Sequence, residues 1–153
     1  MILSTYCLHC GERNNMDEGP QAVDALCGRC DRRVFEGRPI AADEAAFHKH
    51  TAPGFIPAVV MFWLMQRDIR FYTSNFDKCA ALYEPRARFL TVSVDDLYAL
   101  ARSHNVMSAP TLAVFRDGRL VERHIGLPGW SDRRQSADLR NWLNAHIGSP
   151  QDA

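Results

Sequence analysis

The sequence predicts an α/β protein, a small mixed sheet flanked by helices, with a short cysteine-bearing segment in front of it. Three observations carry this. Residues 58–63, Ala-Val-Val-Met-Phe-Trp, are continuously apolar, as in a central strand buried on both faces. Beyond them the apolar spacing switches repeatedly between helical and extended periods, and Asp117-Gly118 marks a hairpin between two alternating runs. Finally, four of the five cysteines fall as two pairs within the first thirty residues.

A length of 153 residues allows one ordinary domain plus a small appendage. The cysteine pairs are Cys7-Leu-His-Cys10 and Cys27-Gly-Arg-Cys30, with sixteen residues between them. Two residues between ligands let each pair form a knuckle whose sulfurs face one tetrahedral metal, and the long insert folds the second knuckle back onto the first. We read Cys7, Cys10, Cys27 and Cys30 as a structural zinc site, closed because four thiolates saturate it. A pair of disulfides is the alternative reading. It is disfavoured in the reducing cytoplasm, which is the expected location because the start lacks a basic-then-apolar leader and no window is long enough to span a bilayer.

The first 36 residues are thus expected to form a zinc ribbon, and residues 37–153 the α/β domain, with the boundary near Gly37 where Gly and Pro punctuate the chain. The ribbon holds few large apolar side chains, and segments below about 40 residues seldom fold without a metal. Arg29, Arg32 and Arg33 beside the second knuckle are read as offsetting thiolate charge. A nucleic-acid face is disfavoured, since it needs a wider basic surface with aromatic platforms, and the chain balances 18 Lys plus Arg against 18 Asp plus Glu. His9 is expected to be solvated.

In the second part, residues 43–50 read as a short helix capped by Asp43, with His48 and His50 on its surface. After the apolar strand, a helix from about residue 68 to 83 carries Phe71, Phe76, Cys79, Ala80 and Tyr83 as an inward stripe, and Pro85 stops it. Residues 89–94 form a second strand, and Asp95 or Asp96 caps a helix through Leu97, Leu100, Ala101 and His104. Residues 111–115 and 120–124 are the hairpin strands. A closing helix from Ser131 or Asp132 to Ile147 puts Leu139, Trp142, Leu143 and Ile147 on one face.

This order of elements, the strand ending at Trp63, the Ser108-Ala109-Pro110-Thr111 segment, the Asp117-Gly118 hairpin and the Gly126 loop together resemble thioredoxin. With the ribbon in front, the chain is similar to the zinc-containing second type of bacterial thioredoxin, from Cys7 to Ile147. The resemblance implies the thioredoxin fold, a cis bond before Pro110 and a groove beside that loop which receives an extended peptide.

The resemblance also implies Trp-Cys-Gly-Pro-Cys after the strand, and here the chain departs. That stretch reads Gln66-Arg67-Asp68-Ile69-Arg70, so both sulfur positions are arginines, and the family's buried carboxylate two residues before the tryptophan is Met61. Thiol–disulfide exchange needs an attacking thiolate and a resolving thiol, and a guanidinium is neither. Cys79 lies twelve residues beyond Arg67, roughly 18 Å along a helix, and is expected to be buried and inert. The reading is therefore a redox-inactive, chaperone-like or adaptor module without enzymatic activity. It binds a protein or extended peptide, with Trp63, Ala109, Pro110 and Trp130 around the groove; Arg67 and Arg70 either receive an acidic partner or point into water with Asp68 offsetting them. The alternatives are a weakened thiol–disulfide oxidoreductase and a nucleic-acid-binding ribbon on an inert scaffold.

Overall fold

The computed structural model describes residues 1–64, 70–126 and 135–150. Strands β1 (Ile2–Tyr6) and β2 (Arg13–Asp17) pair antiparallel from Ile2↔Asp17 to Tyr6↔Arg13, and a single 3-10 turn follows at Pro20–Asp24. This N-terminal segment does not own its core. Cys7, Cys27, Val34 and Phe35 pack with Ile56, which lies twenty-one residues beyond Phe35, and the Ile56 N–H donates to the Ser4 carbonyl at 3.1 Å.

The remaining elements are β3 (Ile40–Ala41), α1 (Glu44–Thr51), β4 (Ala58–Trp63), α2 (Arg70–Tyr83), β5 (Arg88–Ser93), α3 (Tyr98–Ser103), β6 (Thr111–Arg116), β7 (Arg119–Ile125) and α4 (Gln135–Ile147). The strands line up as β3-β5-β4-β6-β7. The β5 strand runs parallel to both β3 and β4, while β6 and β7 continue the sheet antiparallel. Central placement explains the apolar run of β4, in which Ala58 to Phe62 are all buried.

Strand alternation then sorts the core into two layers. Val59 and Met61 pack with Phe76, Ala80 and Tyr83 of α2 and with Leu139, Leu143 and Ile147 of α4. Ala58, Val60 and Phe62 pack on the opposite face with Phe47 of α1 and with Leu100 and Ala101 of α3. Each fully buried Phe or Leu contributes roughly 1.5–3 kcal/mol relative to exposure, so these two layers supply most of the drive to fold. At the hairpin, Asp117 (φ 51°) and Gly118 (φ 78°) are both left-handed, which is the turn that matches strand twist.

Several expectations are corrected. The α3 helix starts at Tyr98 with Leu97 in the cap position and no side-chain cap, so neither Asp95 nor Asp96 caps it. The turn before it uses Ser93 instead, whose Oγ accepts from the Asp96 N–H at 3.3 Å. His50 is 6% exposed and lies against Tyr6, not on the surface. Strands β1, β2 and β3 have no counterpart in the sequence reading. The start of the helix expected at residue 68, and that expected at Ser131 or Asp132, lie outside the described residues; α2 and α4 are described from Arg70 and Gln135.

Candidate functional site

The two cysteine knuckles have the same backbone. The Cys7 carbonyl accepts from the Gly11 N–H at 3.1 Å and the Cys27 carbonyl from the Asp31 N–H at 2.9 Å. The Cys7 and Cys27 N–H groups donate in turn to Glu12 at 2.8 Å and to Arg32 at 2.7 Å. Both turns close through a left-handed residue, Gly11 at φ 76° and Asp31 at φ 64°. Aspartate is among the few side-chain-bearing residues that tolerate that region.

The knuckles bring all four sulfurs within 4.8 Å of one another. Cys7 to Cys30 and Cys10 to Cys27 are each 3.6 Å apart, close to the ~3.8 Å expected when ~2.3 Å metal–sulfur bonds radiate tetrahedrally. Backbone and side-chain N–H groups already point at the sulfurs. His9 N reaches Cys7 Sγ at 3.3 Å, and both Arg29 N and Asn14 Nδ2 reach Cys27 Sγ at 3.4 Å. The Cys27 thiol is pulled down to about 6 by the Cys30 N–H, the Asn14 amide and the Arg29 N–H. Cys30 moves the other way. The Arg32 N–H lowers it, but burial and the neighbouring sulfurs outweigh that and push it up to about 11. Four sulfurs gathered at this spacing form a donor set that fits a metal ion.

Around the cluster, polar groups tie the knuckles to the connection that follows. Arg32 Nη1 donates to His9 Nδ1 at 3.2 Å, the His9 Nε2 side meets Glu36 Oε1, and Arg38 reaches Glu36 Oε2 at 2.6 Å. His9 is exposed, as expected of a residue the metal does not need, and both of its ring nitrogens are engaged at the surface. The other arginines near the second knuckle face carboxylates, Arg29 with Glu12 at 3.5 Å and Arg33 with Asp24 at 3.1 Å.

The groove positions divide between described and undescribed residues. Trp63 ends β4 half-buried, Arg70 opens α2, and Ala109 and Pro110 are buried and joined by a cis peptide bond. Gln66, Arg67, Asp68, Ile69 and Trp130 lie outside the described residues. The Pro110 carbonyl accepts from the Gly126 N–H at 2.8 Å, which holds the Pro110 loop against the end of β7. Beside Ala109 a cavity of about 370 Å³ opens, which sequence reasoning missed. Leu64, Val94, Val106 and Met107 line it, with Tyr98 and Arg102 on its α3 side, and Arg102 Nη1 donates to the Tyr98 hydroxyl at 3.3 Å. Its lining comes from four separate stretches, so no local motif marks it.

Cys79 lies on the inner face of α2, 3% exposed in the core with Phe76, and burial pushes its thiol up to about 11. Met61 is 1% exposed in the same core.

No family model matches the chain. In sequence it is 28% identical to thioredoxin 1 of Synechococcus elongatus over 108 residues, covering 70% of this chain and 95% of that one. It is 42% identical to a Staphylococcus aureus thioredoxin over 50 residues, a third of this chain and 48% of the relative. In structure it superposes on a point mutant of thioredoxin from Halobacterium salinarum with a TM-score of 0.60 at 20% identity, covering 74% of this chain and 94% of the other. A Malassezia sympodialis thioredoxin gives the same TM-score of 0.60 at 18% identity, over 78% and 99% of the two chains. A mixed five-stranded sheet with two helices on each face, matched by these structures over most of their length, makes this chain a protein of the thioredoxin fold.

Proposed function

We propose that the chain is a redox-inactive thioredoxin-fold module that holds another protein in an extended segment beside Pro110, as an adaptor or holdase-type chaperone. The observation that carries this reading is where the sulfur lies. Exchange with a disulfide needs an accessible thiolate. Four of the five cysteines share one cluster, and the fifth is buried with its thiol raised to about 11. The resemblance puts the two active-site sulfur positions at Arg67 and Arg70 and the proton-transferring carboxylate at Met61.

The binding surface we propose comprises Trp63, Gln66, Arg67, Asp68, Ile69, Arg70, Ala109, Pro110 and Trp130. The cavity beside Ala109 suits one side chain of the bound segment; Asp95 and Arg102 both line it, so the preference for an acidic partner rests on Arg67 and Arg70. An acidic, partly apolar extended segment is the partner that this combination favours.

We assign the metal as zinc, because four thiolates at tetrahedral spacing suit a borderline-soft d¹⁰ ion and leave no open position. Bound there, it would serve as a structural cross-link between Cys7, Cys10, Cys27 and Cys30. A cysteine set read as four zinc ligands and one buried thiol, with none of the five in a disulfide, suits a reducing compartment, and we place the protein in the cytoplasm. Among the described residues no helix is long and apolar enough to cross a membrane.

An insulin-reduction assay with thioredoxin reductase and NADPH should give no turnover above the reductase alone; turnover would overturn the reading. Titration calorimetry with acidic extended peptides should show binding that weakens at least tenfold in an Arg67→Ala/Arg70→Ala variant. Equal affinity in both proteins would remove the two arginines from the site. Elemental analysis should find one zinc per chain.

A further inference from the structure

Arg88 opens β5 and is 0% exposed, the largest fully buried side chain among the described residues. A buried guanidinium needs acceptors, and this one takes them from the ribbon. Nη2 donates to the Tyr6 carbonyl at 2.9 Å and Nη1 to the Val34 carbonyl at 3.1 Å. Its Cζ lies 4.7 Å from the centre of the Phe35 ring. On the body side, Nη1 sits 3.8 Å from Glu84 Oε1, one residue past the end of α2, and Glu84 Oε2 accepts from the Gly37 N–H at 3.0 Å. Tyr6 immediately precedes Cys7, and Val34 follows Cys30 by four residues.

We infer that metal loading of the four cysteines is transmitted to the α2–β5 corner through Arg88, so that the body is tightly ordered there only while the ribbon is loaded. The inference rests on the metal reading proposed above. Tyr6 and Val34 hold their positions because the knuckles next to them are clamped together, and so small a ribbon is not expected to keep its shape without an ion. When the ribbon opens, Arg88 loses both carbonyls and the Phe35 ring together. The corner is left with a buried cation whose remaining partner is a carboxylate 3.8 Å away, and water must enter to solvate it. Glu84 loses the Gly37 N–H in the same event. The C-terminal turn of α2 then frays, because it is anchored by this pair.

Hydrogen exchange by mass spectrometry on the full chain tests this, comparing zinc-loaded protein with protein stripped by a chelator under reductant. The Ile56 amide reports ribbon docking through its bond to Ser4, and the Glu84 and Arg86 amides, bonded to Ala80 and Tyr83, report the end of α2. Stripping should speed exchange at least tenfold at all three sites. In a Glu84→Gln/Arg88→Met variant, which removes both charges at similar volume, stripping should still expose Ile56 but change Glu84-position and Arg86 exchange less than threefold. A single Arg88→Met variant should show the same uncoupling, and the double variant decides if the single one does not fold. Unchanged α2 exchange on stripping the natural protein, with zinc release verified by elemental analysis, overturns the coupling alone. Equal loss of α2 protection in the double variant overturns the role of Arg88, and absence of bound zinc at the start overturns the metal reading beneath it.

Discussion

Two buried titratable side chains pull stability in opposite directions. Burial raises Glu84 from an ordinary 4.5 to about 7, against the lowering influence of Arg88 and the Gly37 N–H. Burial, with Arg88 and Lys49 nearby, lowers His50 from 6.5 to about 3. For Glu84 the proton binds more tightly in the folded state, so its contribution is complete below pH 4.5 and is lost as pH rises through about 7. For His50 the neutral ring is favoured, so its contribution is present above pH 6.5 and is lost as pH falls toward 3. The two slopes oppose each other between about pH 4.5 and 6.5, and below that window the His50 loss stands alone. Urea unfolding of a His50→Gln variant should therefore show a shallower acid limb than the parent. A Glu84→Gln variant should lose the stabilisation that the parent gains as pH falls from 8 to 5.

At the level of elements, the knuckles carry the most demanding backbone. Gly11 and Asp31 occupy equivalent left-handed positions, so Asp31→Gly should be accepted, with binding of the proposed zinc intact. Gly11→Val should cost about 1–2 kcal/mol per left-handed residue forced to carry a branched side chain, seen as a lower melting temperature and weaker zinc retention against a colorimetric chelator. The Lys49 amine, 2.9 Å from where a Cβ on Gly11 would lie, is the end of a flexible side chain, so the strain is in the backbone. The α1 helix is opened by a side-chain cap. Asp43 Oδ1 accepts from the Ala46 N–H at 2.7 Å, and Asp43→Ala should lower stability by about 1 kcal/mol in chemical denaturation. Asp43 was legible as a cap because a short helical pattern follows it directly. The Asp95–Asp96 pair offered the same signal and misled, since the chain there spends its local hydrogen bonds on a turn through Ser93. The β1–β2 pairing left no pattern to read, because Arg-Asn-Asn-Met-Asp is extended by its knuckle and its partner and not by apolar alternation.

For the whole molecule, the ribbon and the sheet share a seam in which Ile56, Arg88, Phe35 and Tyr6 take part. If the cysteine cluster holds the proposed zinc, its removal should therefore lower the melting temperature of the entire chain, not melt the first 36 residues separately. A Cys10→Ser variant, monitored by far-ultraviolet circular dichroism and by Trp fluorescence, should unfold at a lower temperature by both probes together; a separate early transition with an unchanged main one would contradict the shared seam. The amino-acid sequence alone was enough for the grouping of the four cysteines, the order of elements from α1 to α4 and the central strand. Each of these is encoded locally: Cys-x-x-Cys spacing follows from knuckle geometry, and Ala58 to Phe62 are apolar because both faces of β4 are covered. What only the tertiary structure decided is how the two parts close on one another and how His50, His9 and Arg88 come to be engaged. Arg88 meets backbone carbonyls 82 and 54 residues away, and a carbonyl is the same in every residue, so such a contact leaves no trace in side-chain pattern until the chain has folded.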